Sequence, residues 1–68
     1  MVTLKYLTHE GDTPKNVTVQ QAKTEVSEAI DRGSLVYDEE ERRIVTKATM
    51  NQIKDESTLV VLPAIQGG

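Results

Sequence analysis

One helix in this chain is punctuated at both ends, and it limits everything around it. Thr18 is followed three positions later by Gln21, the pattern of a capping box, and Val17 and Ala22 occupy the staple positions on either side. Gly33 supplies a residue free to take the left-handed conformation that ends a helix. Between these marks Ala22, Val26 and Ile30 recur every four residues, with Val19 and Ala29 alongside, while Gln20, Lys23, Glu28 and Arg32 point away. The spacing predicts an amphipathic helix over 19–32 with Ile30 in the core. A single apolar stripe must be buried against something, and the rest of the chain is patterned as strands.

Val2, Leu4 and Tyr6 alternate with Thr3 and Lys5, the period of a strand with one buried face. "THEGDTPKN" holds the turn formers Gly11, Asp12, Pro14 and Asn16, and reads as a hairpin loop leading to a short second strand or to the helix approach near Val17. After the helix, Leu35 to Tyr37 and Ile44 to Val45 flank an acidic turn at Asp38 to Glu41, which predicts a hairpin. "TKATMNQIKDES" lacks a clean period and suits an irregular crossing with a helical turn. "TLVVL" at 58–62 is the most strand-like stretch, and Pro63 removes the next ladder donor. The expectation is an α+β fold: a mixed sheet of four to five strands wrapped across one helix in the β-grasp arrangement, with the first and last strands neighbours. Residues 1–62 form the domain and 63–68 a flexible tail.

With 68 residues the chain forms one small core, and a deep catalytic cleft is not expected. It has no cysteine, so no disulfide, thiolate nucleophile or cysteine zinc cluster. No apolar run reaches the ~18 residues of a membrane span and the start has no signal-peptide layout, so a cytoplasmic location is expected without membrane attachment. Eight basic against eleven acidic residues leave a net charge of −3 with two tyrosines, which disfavours direct nucleic-acid binding and suits a basic protein partner. His9 has no second ligand nearby and reads as a solvated loop residue, so no metal site is expected; Glu39, Glu40 and Glu41 read as a solvated turn, and Asp55 with Glu56 as surface charge.

The end of the chain, "ESTLVVLPAIQGG", carries a resemblance. Glu56, Ser57, Thr58 and Leu59 are similar to the segment that opens the last strand of ubiquitin, and the distance from Leu59 to the closing glycine pair also matches. Pro63, Ala64, Ile65 and Gln66 before Gly67 and Gly68 resemble instead the Pro-x-apolar-x-Gly-Gly ending of bacterial and archaeal sulfur carriers of thiamin and molybdopterin synthesis. The Asp-Gly-Asp that commonly precedes the last strand of those carriers is here Asp55-Glu56-Ser57. The resemblance implies a ubiquitin-like β-grasp fold whose Gly68 carboxylate is adenylated by an E1-like activating enzyme, which binds the ATP and magnesium itself. It is then converted to a thiocarboxylate that donates sulfur to an acceptor enzyme, or joined by an isopeptide bond to lysine-bearing target proteins.

Chemistry gives such a tail its own reason. A carboxylate that reacts inside a partner must pass a narrow channel, and glycine crowds neither the channel nor the reagents. From Pro63 to Gly68 the chain can reach about 20 Å at ~3.3 Å per residue. The chain has no phosphate loop and no nucleophile–base pair, so it is expected to be a carrier rather than an enzyme, with no catalytic residues and no bound cofactor. If Leu59 and Val61 face the helix, Val60 and Leu62 point outward, Leu7 joins them from the first strand, and Val36 is a candidate for the same outer patch. Leu7, Val36, Val60, Leu62, Pro63 and Ile65 are therefore the expected partner-binding residues, beside the activated Gly67 and Gly68. Three functions stay open: sulfur carrier, protein modifier, and a non-covalent interaction module.

Overall fold

The structure is a computed structural model that describes residues 1–8 and 11–63. Its strands are β1 (Val2–Thr8), β2 (Gly11–Val17), β3 (Leu35–Asp38), β4 (Arg43–Val45) and β5 (Thr58–Leu62), with helix α1 (Val19–Asp31) after β2 and a 3-10 turn (Met50–Gln52) before β5. They form one mixed sheet in the order β2-β1-β5-β3-β4. The sheet packs against α1, an α+β arrangement compatible with a β-grasp. β1 and β5 are parallel neighbours, with Leu4 beside Leu59 and Tyr6 beside Val61, while the other pairs are antiparallel. β5, the last of the described strands, is therefore the central strand.

The helix ends as its signals predict. Thr18 Oγ1 accepts from the Gln21 N–H at 3.1 Å, and the Thr18 N–H donates back to Gln21 Oε1, the reciprocal capping box. At the other end Gly33 has φ 87°, its N–H reaches the Ile30 carbonyl, and the Ser34 N–H reaches that of Ala29. These are the paired bonds of a Schellman motif, which only a residue without a Cβ enters freely. Val17 and Ala22, the staple pair, are both buried.

The core joins Val2, Leu4, Leu59, Val61, Val36 and Val45 from the sheet to Ala22, Val26 and Ala29 from α1. Ile53 enters it from the crossing segment. Ile30, expected at the centre, packs against this cluster with part of its surface exposed, because Ala29 takes the fully buried position on that turn.

The larger surprise is β2. Gly11, Asp12, Pro14 and Asn16 read as a loop, yet all lie in a seven-residue strand paired along β1 from Val2–Val17 to Thr8–Gly11. β2 is an edge strand, where the N–H that Pro14 lacks need not interrupt a ladder. Long-range anchors compensate for poor strand formers: Val17 is buried, and Thr3 Oγ1 donates to Asn16 Oδ1 at 3.0 Å.

Among the described residues two other than glycine have positive φ, Arg42 at 56° and Glu56 at 72°. Arg42 closes the β3–β4 loop, its N–H bonded to the Asp38 carbonyl at 2.8 Å. Asp38, at the start of the acidic turn, is buried, and its carboxylate accepts from the N–H groups of Glu40 and Glu41 at 2.9 and 3.1 Å. That side chain therefore satisfies the loop's own backbone. Glu56 makes the turn into β5, its N–H bonded to the Met1 carbonyl at 2.8 Å.

Candidate functional site

Along each strand successive side chains alternate between the helix side and the outer side of the sheet. β5 puts Leu59 and Val61 inward and Thr58, Val60 and Leu62 outward, as their buried and half-buried states show. Pairing carries that parity to β3: Val36 sits beside Val61 and Tyr37 beside Val60. Val36 is consequently fully buried, which removes it from the outer patch where the sequence reading put it. A three-residue apolar run, Leu35 to Tyr37, contains no polar residue to mark its outward side, so only the register to β5 decides.

The outer face is built from the opposite parity. Tyr37 lies between Ile44 of β4 and Val60 of β5, and Val60 lies beside Lys5 of β1. Leu35 pairs with Leu62 on the next row. Leu7 follows Tyr6 and Leu62 follows Val61, the last pair of that ladder, so both point to the outer side, and both are half-buried. Leu35 and Ile44 keep 48% and 44% of their surface exposed. Pro63 is exposed directly after β5. Ile65, Gly67, Gly68 and His9 lie outside the described residues, as does all of the expected tail at 63–68 beyond Pro63.

Tyr37, Val60 and Leu62 line an open depression of about 440 Å³, rimmed by Glu39 and Arg42. Lys5 Nζ reaches Glu39 Oε1 at 3.4 Å across β5, a solvent-exposed pair that contributes little stability. Tyr37 and Arg42 had no signal in the sequence and Glu39 read only as part of a solvated turn, because they join Val60 and Leu62 only through strand pairing.

A second polar cluster lies on the helix side. Tyr6 donates its hydroxyl hydrogen to Glu25 Oε1 at 2.5 Å, and Lys15 Nζ donates to the same oxygen at 2.9 Å. Lys15 also sits 5.6 Å from the Tyr6 ring centre. Burial, then the hydrogen bond and charge of Glu25, push the Tyr6 hydroxyl up to about 12. Burial alone would raise Glu25, but the bonds from Tyr6 and Lys15 and the nearby positive charge hold it below 4.5. The cluster ties α1 to the β1–β2 hairpin. Asp55 is held low by its hydrogen bond to the Met1 amino group.

Among the described residues no group of three or more His, Cys, Asp or Glu side chains is placed to hold a metal ion, and no helix is long and apolar enough to cross a membrane. Comparison with models of known protein families, with curated proteins and with solved structures gives no match for this chain.

Proposed function

We propose that this chain is a ubiquitin-like β-grasp carrier that acts in the cytoplasm by presenting its Gly68 carboxylate to an E1-like activating enzyme. The observation that carries the reading is the position of β5. It is the central strand of the sheet, its outward residues Val60 and Leu62 form the middle of the apolar outer face, and Pro63 follows it at once. Pro63, the last described residue before the Gly67-Gly68 end, therefore lies at the edge of the surface most suited to hold a protein partner. A second feature supports it: Glu56 adopts the left-handed backbone natural to glycine, at the position where the sulfur carriers commonly have glycine.

In this reading the partner docks on Leu7, Tyr37, Val60, Leu62 and Pro63, with Ile65 as a further contact nearer the reacting end. The partner binds ATP and magnesium and adenylates Gly68 with release of pyrophosphate; a sulfide-level sulfur donor then attacks the acyl carbon, AMP leaves, and the resulting thiocarboxylate serves an acceptor enzyme. In the alternative, a lysine of a target protein takes the acyl group as an isopeptide. The chain contributes a substrate end and a docking face, not catalytic groups.

Mass spectrometry of the protein from its native cell tests this. The mass gain of one sulfur replacing one oxygen on the intact chain supports the carrier. Gly-Gly remnants on lysines of other proteins support the modifier. Neither signal, together with full cellular function after deletion of Gly68, leaves only a non-covalent interaction module.

A further inference from the structure

The outer depression carries one unspent charge. Lys5 is tied to Glu39, Lys15 to Glu25, Lys47 to Asp31 and Arg43 to Gln52. The guanidinium of Arg42 has no such partner among the described residues, although Arg42 lines the depression beside Tyr37, Val60 and Leu62. The acidic group nearest in sequence on that rim, Glu39, is engaged by Lys5. Arg42 also holds φ 56°, a conformation that a long side chain enters at a cost and glycine enters freely. Glycine would close this loop with less strain but would put no cation over the apolar floor.

We infer that the depression receives a protein segment in which a carboxylate side chain stands next to an apolar one, and that Arg42 selects the carboxylate. The apolar side chain seats on Tyr37, Val60 and Leu62. The carboxylate meets the planar fork of the guanidinium, which can bind both of its oxygens at once. The depression is open and Arg42 is exposed, so the contact acts through its paired geometry and matched charge rather than through exclusion of water. Charge complementarity thus fixes the occupant: an acidic and apolar surface on a partner, not a basic one as the net charge alone would suggest. The inference rests on the outer face being the docking face and is independent of the fate of Gly68.

The test is selection of random short peptides on the immobilised full chain, followed by titration of the selected peptides and of versions with Asp and Glu changed to Asn and Gln. The expected peptides place Asp or Glu within a residue or two of Leu, Ile or Phe, and the amide versions bind about tenfold more weakly. Arg42→Gln removes the acidic preference while keeping the apolar one, Arg42→Lys keeps part of both, and Lys54→Gln, a charge control before the opposite end of β5, changes neither. Arg42→Gly loses the acidic preference yet melts at a higher temperature than the parent chain. No enriched peptides, or an acidic preference that survives Arg42→Gln, overturns the inference. So does a lower melting temperature for Arg42→Gly, since the position would then not be strained. Sedimentation equilibrium covers the remaining occupant: a dimer broken by Arg42→Glu and restored by adding Glu39→Arg would put a second copy on the face and reject the acidic partner. A chain lacking Gly67 and Gly68 must give the same peptides, so failure of the carrier reading and failure of this one are separable.

Discussion

The two faces of the sheet are made from alternate residues of the same strands, and the folded chain treats them oppositely. Inward, Val2, Leu4, Val36, Leu59 and Val61 are at most 4% exposed. Outward, Leu7, Tyr37, Val60 and Leu62 are half-buried, and Leu35 and Ile44 are open to solvent. The side chains are of the same kinds, so composition does not separate the faces. What separates them is whether α1 covers them. An apolar residue under the helix contributes to stability; one on the bare side is available to another surface at little structural cost.

The largest test of this contrast sets Leu59 against Leu62, three residues apart on one strand. Leu59→Ala should cost about 2–5 kcal/mol, the transfer and cavity cost of an enclosed leucine, whereas Leu62→Ala should stay below about 1 kcal/mol. Urea unfolding of both variants checks it, and equal losses would erase the distinction between the faces.

Next in size is the clamp at the margin of the covered face. Tyr6→Phe removes the bond to Glu25 and should cost about 1 kcal/mol. Its pH dependence sharpens the point. Glu25 is lowered by folding, so its contribution is present above 4.5 and lost as pH falls through the lowered value. Tyr6 is raised, so its contribution is complete below 10 and lost as pH climbs toward about 12. Stability curves of parent and Tyr6→Phe should therefore converge in acid, and the variant should lack the alkaline fall belonging to Tyr6. Parallel curves at both extremes would mean the hydroxyl contributes nothing to the clamp.

A smaller structural effect with a large functional one is expected at Leu62→Asp. Stability should fall by about 1 kcal/mol, slightly more than for Leu62→Ala because Asp is a poor strand former, while on the proposed carrier reading adenylation by a cognate activating enzyme should fall through weakened docking. Unchanged activation at low enzyme concentration would remove the outer face from the mechanism. The smallest change is a gain: Glu56→Gly relieves the left-handed strain, offset by the greater freedom of unfolded glycine, for a net of about 0.5 kcal/mol. A loss of stability there would show that the Glu56 side chain supports the turn.

Much of this architecture is local chemistry and could be read from the residues. The capping box at Thr18 and Gln21 and the left-handed Gly33 set the helix ends because each satisfies backbone groups within a few residues of itself. The alternation of Val2 to Tyr6, and Pro63 after an apolar run, set β1 and β5 for similarly local reasons, as did the outward direction of Val60 and Leu62 once Leu59 was taken as buried. What the tertiary structure alone decided depends on partners distant in sequence. β2 forms through turn residues because β1 offers it a full ladder and the sheet edge tolerates Pro14. Val36 turns inward and Tyr37 outward because β5 sets their register, and a strand shifted by one residue exchanges its faces entirely. Asp38 becomes a buried loop anchor, and Arg42 comes to overlook Tyr37, Val60 and Leu62, because the β3–β4 hairpin lies beside β5. Propensity and capping act over one turn of backbone; the outer site is an encounter of three strands, and no stretch of sequence contains it.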